Sequence, residues 1–214
     1  MYYRFLAKSS IFFCLSSLLL LFISPVHAQK TVKVGIYDFK PLVYQDKDRN
    51  PQGIYVDILE KISELENWEL SYVFSDWPNC LKKLDKGQID LQTAILQSDK
   101  RKEKYNFNKV SVISTWGQLY AAPGTEIANL RDLQGKKIAV VKKGYFYPQL
   151  KQSLEDFEIN AEFIKADNYS KIFELVKKGK ADVCSSERVT GLWAEKEYDI
   201  HKTPLVYKHK DFLF

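Results

Sequence analysis

The residues best equipped for chemistry in this sequence are one arginine, one glutamate, one serine and four aromatic side chains. Arg101 offers a planar guanidinium that grips a carboxylate through two parallel hydrogen bonds. Glu187 offers the opposite charge, suited to an ammonium group. Phe39, Trp77, Tyr145 and Phe146 supply flat faces that bury apolar area or stack on a planar or cationic group. Ser98 adds a hydroxyl three residues before Arg101. A molecule carrying both charges, held between Arg101 and Glu187, would draw together the two segments that carry them. Each residue also has an ordinary structural role open to it. Trp77, beside Pro78, could staple a helix start to the core. Arg101 lies in Lys100-Arg101-Lys102-Glu103-Lys104, a run of the kind that usually faces solvent. Phe39, Tyr145 and Phe146 could be packing residues, and Glu187 could pair with its neighbour Arg188.

Other chemistries find little support. The three histidines, His27, His201 and His209, have no metal-ligand spacing, so neither a metal nor another cofactor is expected. No nucleophile–base pair stands out, which points to binding rather than catalysis. The net charge of +5 includes Arg4 and Lys8, and the remaining lysines are interspersed with acids, as in Lys82-Lys83-Leu84-Asp85-Lys86. That pattern describes a solvated face and not a nucleic-acid groove. Apolar content of 45% supports a packed core.

The elements that must position these residues alternate between strand and helix. Thr31 to Tyr37 alternates around Val32, Val34 and Ile36 as a strand. Ile54, Ile58, Ile62 and Leu65 form a helical stripe, and Leu70 to Phe74 reads as a second strand. Asp76-Trp77-Pro78 starts a helix, with Gly87 past its end, and Ile89 to Ile95 reads as a third strand. In the second half, Lys137 to Val141, Ala161 to Ile164 and Ala181 to Cys184 are strands, separated by helices around Pro148 to Phe157 and Ile172 to Val176. This order predicts an α/β layer with a mostly parallel sheet. Leu84 to Leu91 and Val176 to Val183 share one pattern: helix end, glycine, a polar residue, then apolar-Asp-apolar. The echo supports two similar lobes, with a crossover near Leu119 to Ala122. Ligands of open α/β sheets sit beyond the carboxyl ends of the strands, and two facing lobes would bring both sets of ends to one cleft. Cys80 and Cys184 fall on different lobes and are expected as free, part-buried thiols.

The chain opens like an export signal. Arg4 and Lys8 precede an apolar run from Ile11 to Ile23, and Val26-His27-Ala28 suits a signal peptidase. About 13 apolar residues span only ~20 Å as a helix, short of the ~30 Å bilayer core. Residues 1–28 therefore read as a cleaved signal peptide, and no stable membrane insertion of the mature chain is expected. Thr203 to Tyr207 reads as a strand returning to the first lobe. Phe212-Leu213-Phe214 then ends the chain on apolar residues expected to lie exposed, as in an incomplete first lobe.

Seven segments in order carry a family resemblance. They are Val32-Lys33-Val34-Gly35, Phe39-Lys40-Pro41-Leu42, Gly53 to Ile58, Trp77 to Asp90, Ser98-Asp99-Lys100-Arg101, Leu130 to Gly144, and Gly179-Lys180-Ala181-Asp182. Together they resemble the family 3 extracellular solute-binding proteins, the amino-acid-type periplasmic receptors. The resemblance implies a type II two-lobed clamshell: lobe 1 from 29–119 plus 205–214, lobe 2 from 120–204. It implies that Phe39 and Trp77 sandwich a ligand side chain, that Arg101 binds an α-carboxylate, and that Glu187 meets an α-amino group. The chain departs from the family at Ala94-Ile95-Leu96-Gln97 and at Gly144-Tyr145-Phe146, where hydroxyl donors are usual; this counts against an ordinary α-amino acid. Asn106-Phe107-Asn108 and Thr115 to Tyr120 are similar to solute-binding modules ahead of histidine kinases and diguanylate cyclases. The resemblance thus implies a non-enzymatic periplasmic protein that captures a small polar ligand by hinge closure and hands it to an ABC transporter membrane component. A sensor ectodomain is the alternative, and a dehydratase using Glu187 or Asp38 as general acid is a more distant one.

Overall fold

The computed structural model describes residues 29–214, so the expected signal peptide, 1–28, lies outside the described residues. Residues 31–214 form one unit. Strand β1 (Lys30–Ile36) turns Val32, Val34 and Ile36 inward, as the alternation of a half-buried strand requires. A short hairpin, β2 (Tyr44–Gln45) and β3 (Pro51–Gln52), leads to α1 (Ile54–Glu66), β4 (Trp68–Phe74) and α2 (Trp77–Asp85). Then come β5 (Leu91–Gln92), β6 (Ile95–Leu96), the four-residue α3 (Asp99–Lys102) and the long β7 (Ile113–Ala121). The second half runs β8 (Lys137–Val141), α4 (Phe146–Asp156), β9 (Glu162–Ala166), α5 (Tyr169–Lys177), β10 (Val183–Glu187), α6 (Arg188–Tyr198) and β11 (His201–Leu213). No described helix is long and apolar enough to cross a membrane.

Two main sheets result, ordered β4-β1-β5 and β6-β11-β7-β10-β8-β9. β5 lies parallel to β1, and β8 parallel to β9 and β10, as βαβ crossovers demand. β7 and β11 instead pair antiparallel with each other, with β10 beside β7 and β6 beside β11, also antiparallel. The larger sheet is therefore mixed, where a mostly parallel one was expected. The expected lobe boundaries fall inside or beside these two long strands.

Two further expectations are corrected. The strand expected over Ile89 to Ile95 divides into β5 in the smaller sheet and β6 in the larger. Ala94, just before β6, has a φ of 48°, a left-handed conformation that no strand continues through. Thr93 Oγ1 and Gln92 Nε2 donate to the Gly35 carbonyl at 2.9 and 3.3 Å, tying the turn to β1. At the other end, β11 continues to Leu213, and Phe212 and Leu213 pair with Leu96 and Ile95. They are only 2% and 8% exposed, so the apolar tail is packed rather than bare.

The internal echo is a repeated hydrogen-bonded device. Gly87 and Gly179 adopt φ of 63° and 64°, a region where glycine avoids the Cβ clash. Their N–H groups donate to Leu84 and Val176, and those of Gln88 and Lys180 to Lys83 and Leu175. Asp90 and Asp182 then clamp the adjoining strand. Each donates its N–H to the carbonyl of Lys33 or Lys137, and each carboxylate accepts that lysine's N–H, at 2.8 and 2.7 Å. Register at the start of β1 and of β8 is set twice by the same chemistry. Cys80 and Cys184 are free, and both are fully buried rather than part-buried. Burial pushes the Cys80 thiol up to about 12, which keeps it protonated and inert.

Candidate functional site

Arg101 is the centre of the candidate site. The Ser98 side chain caps α3 by accepting the Arg101 N–H at 3.3 Å, which orients this short helix. The guanidinium turns inward: Nη1 donates to the Leu96 carbonyl at 2.6 Å and Nη2 to the Lys143 carbonyl at 3.1 Å. It lies over the Trp77 ring, 5.2 Å from the centroid. Trp77 is placed by the start of α2, where the Asp76 carboxylate accepts the Asn79 N–H and Pro78 occupies the first turn. Trp77 Nε1 also donates to the Lys143 carbonyl, at 3.1 Å. Two donors from the first half thus converge on one carbonyl of the second, at a residue with φ of 57°. Burial lowers the Arg101 pKa, and Tyr37, Tyr169, Tyr105 and Tyr145 lie close by. A guanidinium stays charged regardless, and none of the ion pairs among the described residues involves Arg101.

An aromatic stack fills the space behind it. Tyr37 lies 4.9 Å from Trp77 and 5.3 Å from Phe39, and its hydroxyl donates to the Ala94 carbonyl at 2.8 Å. Tyr169, the first residue of α5, also stacks on Phe39, with centroids 4.3 Å apart and planes 17° off parallel. Phe39, with Phe212 edge-on at 5.5 Å, is wholly buried. The face expected to receive a ligand side chain is covered by a side chain of the protein itself. Burial raises the pKa of both Tyr37 and Tyr169, so both hydroxyls stay protonated.

The remaining expected residues separate. Glu187 is fully buried as the N-cap of α6. Its Oε2 accepts from Val189 N at 2.7 Å and Thr115 Oγ1 at 2.9 Å, and its Oε1 accepts from Thr190 N. Burial raises its pKa, opposed by those hydrogen bonds. Glu187 does not pair with Arg188, whose guanidinium sits over Trp116 at 4.6 Å. Phe146 is 4% exposed and packs edge-on to Tyr145 and Tyr207. Tyr145 remains half-buried beside Arg101. Among the described residues, no group of three His, Cys, Asp or Glu side chains is placed to hold a metal ion.

Arg101 and Tyr145 line two spaces. The inner one, walled by Tyr37, Trp77 and Tyr169, measures only about 10 Å³. The outer one measures about 550 Å³ and also takes in Ser98. Phe39, Phe146 and Glu187 line neither. Residue type pointed to Arg101, Trp77, Ser98 and Tyr145, whereas Tyr37 and Tyr169 join them only in the fold. Residue type could not reveal the Leu96 and Lys143 carbonyls, because every residue type carries one.

Residues 32–157 match the model of the bacterial extracellular solute-binding proteins, family 3. PatH of Vibrio harveyi, described as an amino-acid ABC transporter-binding protein, is 29% identical over 170 residues, 78% of this chain and 66% of PatH. Across four curated relatives the match spans from 43% to 71% of their lengths. An ancestral arginine-binding protein bound to glutamine has a TM-score of 0.77 at 19% identity, covering 87% of this chain and 84% of that one. A histidine kinase sensor domain with similarity to periplasmic binding proteins has a TM-score of 0.76 at 18% identity, covering 87% and 81%. The fold is that of the two-lobed type II periplasmic binding proteins, and the chain belongs to the bacterial extracellular solute-binding proteins of family 3.

Proposed function

We propose that this protein is exported to the periplasm and captures a small carboxylate-bearing ligand between two lobes, 29–119 with 205–214 and 120–204. Arg101 supports this most directly: a part-buried guanidinium at the cleft, held by two backbone carbonyls and stacked on Trp77, without an acidic partner in any described ion pair. A carboxylate exchanged for those carbonyls gains a charged, bidentate bond. The bonds to Lys143 join the halves without a ligand, so entry requires them to part about β7 and β11, and closure sets the bound carboxylate between Arg101 and the second half. Binding rather than catalysis is the role we favour, since Glu187 has both oxygens engaged and lines neither space. Delivery to an ABC transporter membrane component is the output we favour, in line with what PatH is described as doing.

The test is a thermal-shift and calorimetric screen of amino acids, polyamines, dicarboxylates and aromatic acids on wild type and Arg101→Ala. A carboxylate should raise Tm in wild type, and Arg101→Ala should weaken its binding by about 2–4 kcal/mol. Equal affinity in the variant would return Arg101 to a purely structural role. A second reading, a ligand-sensing ectodomain, is supported by the nearly equal likeness to the histidine kinase sensor domain. Reading the gene downstream of Phe214 separates the two: an in-frame membrane span and signalling domain would replace delivery with sensing.

A further inference from the structure

We infer that Lys40 is a clasp between the two halves, its ammonium gripping the Trp193 ring when the cleft is shut. The clasp sets how readily the cleft opens without touching what the cleft holds. It goes beyond the capture role proposed above and rests only on the reading that the halves part. Lys40 and Tyr44 belong to the first half and Trp193, on α6, to the second. Lys40 Nζ lies 5.2 Å from the Tyr44 ring centroid and 5.4 Å from that of Trp193, inside the ~6 Å over which an aromatic face attracts a cation. All three residues are part-buried. None of the ion pairs among the described residues involves Lys40, so its charge is met by the two rings.

Both ends of the contact stand on firm mounts. Lys40 sits in the turn from Phe39 to Val43, where the Phe39 and Val43 N–H groups donate to each other's carbonyls at 2.9 and 3.0 Å. The Ile54 and Tyr55 N–H groups, which open α1, donate to the Pro41 and Leu42 carbonyls and tie that turn to the helix. On the other side, Gly191 lets α6 settle against β7, since a Cβ there would collide with the Tyr120 ring. Tyr198 braces the Trp193 ring edge-on, with centroids 5.9 Å apart. Hinge motion between such mounts breaks the contact rather than stretching it. On opening, Lys40 keeps Tyr44, from its own half, and gives up Trp193. The clasp shares no residue with the Lys143 contact, and neither Lys40 nor Trp193 lines either space beside Arg101. A contact made only in the shut state shifts the shut-to-open ratio by its own strength, whatever ligand enters.

The test is the distance between the halves in the ligand-free protein, read by electron double resonance from nitroxides on Lys47→Cys and Lys196→Cys. Both positions are exposed, while Cys80 and Cys184 are buried and stay unlabelled. Lys40→Met keeps the stem but loses the charge, and should lower the shut-to-open ratio about two- to fivefold. Lys40→Arg keeps a cation that stacks on an indole and should stay near wild type. Trp193→Leu should lower the ratio by itself, and adding Lys40→Met to it should change little, because the two act through one contact. Trp77→Phe with Arg101→Ala removes the side-chain bonds to Lys143 and is the control for opening by another route. Opening in that control with a wild-type ratio in Lys40→Met refutes the clasp and leaves hinge motion standing. A Lys40→Met effect undiminished beside Trp193→Leu, or a wild type never shut without ligand, refutes the clasp as well. One distance in every variant refutes the parting of the halves and the clasp with it.

Discussion

Replacing Tyr169 by alanine tests whether this side chain plugs the inner cleft. The ring lies 4.3 Å from that of Phe39 at 17°, an intimate offset stack, while the residue keeps some contact with solvent. Truncating a fully buried aromatic costs about 3–5 kcal/mol, so the partial burial here sets the expected loss at about 2–3 kcal/mol. For a domain of this size each kcal/mol moves Tm by about 2–4 °C, giving a fall of roughly 4–12 °C. The truncation also leaves a flat space against Phe39 that fits a phenol. p-Cresol at about ten times its dissociation constant returns about 1.4 kcal/mol, or roughly 3–6 °C, in the variant only. Tyr169→Phe keeps the ring and should melt close to wild type. The assay is a thermal melt of the three proteins with and without p-cresol. A loss under about 2 °C in Tyr169→Ala, or the same p-cresol shift in wild type, would show that Tyr169 does not fill the cleft.

Other changes probe the parts around it. Trp77→Phe keeps the packing against Tyr37 but removes the Nε1 bond to Lys143, and should cost about 0.5–1.5 kcal/mol in urea denaturation; a larger loss would mean that the ring shape itself carries the contact. Glu187 has its pKa raised from 4.5 by burial, so the stability tied to its protonated form is fully present below pH 4.5 and is lost as pH rises through the folded-state value. Glu187→Gln keeps a capping oxygen, and the Tm of wild type relative to the variant should fall as pH rises above 4.5; a difference independent of pH would refute this. Asp90→Ala and Asp182→Ala each remove one charged bond to a strand N–H, and each should cost about 1.5–3 kcal/mol. Because the two clamps act in separate sheets, the double variant should show the sum of the two losses.

Local pattern was enough for much of the fold. The alternation at Val32, Val34 and Ile36, the Asp76–Pro78 helix start and the twin glycine stops are short-range features, each governed by neighbours a few residues away. The Asp90 and Asp182 echo was visible for the same reason, although its purpose, clamping Lys33 and Lys137, needed the pairing of strands distant in sequence. The residue types at the cleft, Arg101, Trp77, Ser98 and Tyr145, were legible because they lie just past strand ends. Tertiary structure alone decided what each one does. Whether Arg101 meets a carbonyl or solvent depends on where Leu96 and Lys143 come to lie, and a backbone carbonyl leaves no trace in residue type. Whether Phe39 presents an open face depends on Tyr169, 130 positions away. Ala94 ends one strand and begins another because the chain must pass from one sheet to the other there, a demand that no local propensity expresses. The sequence by itself determined most of the elements and the family, and packing between the halves determined which of the candidate side chains face open space, since that depends on distances between segments far apart in the chain.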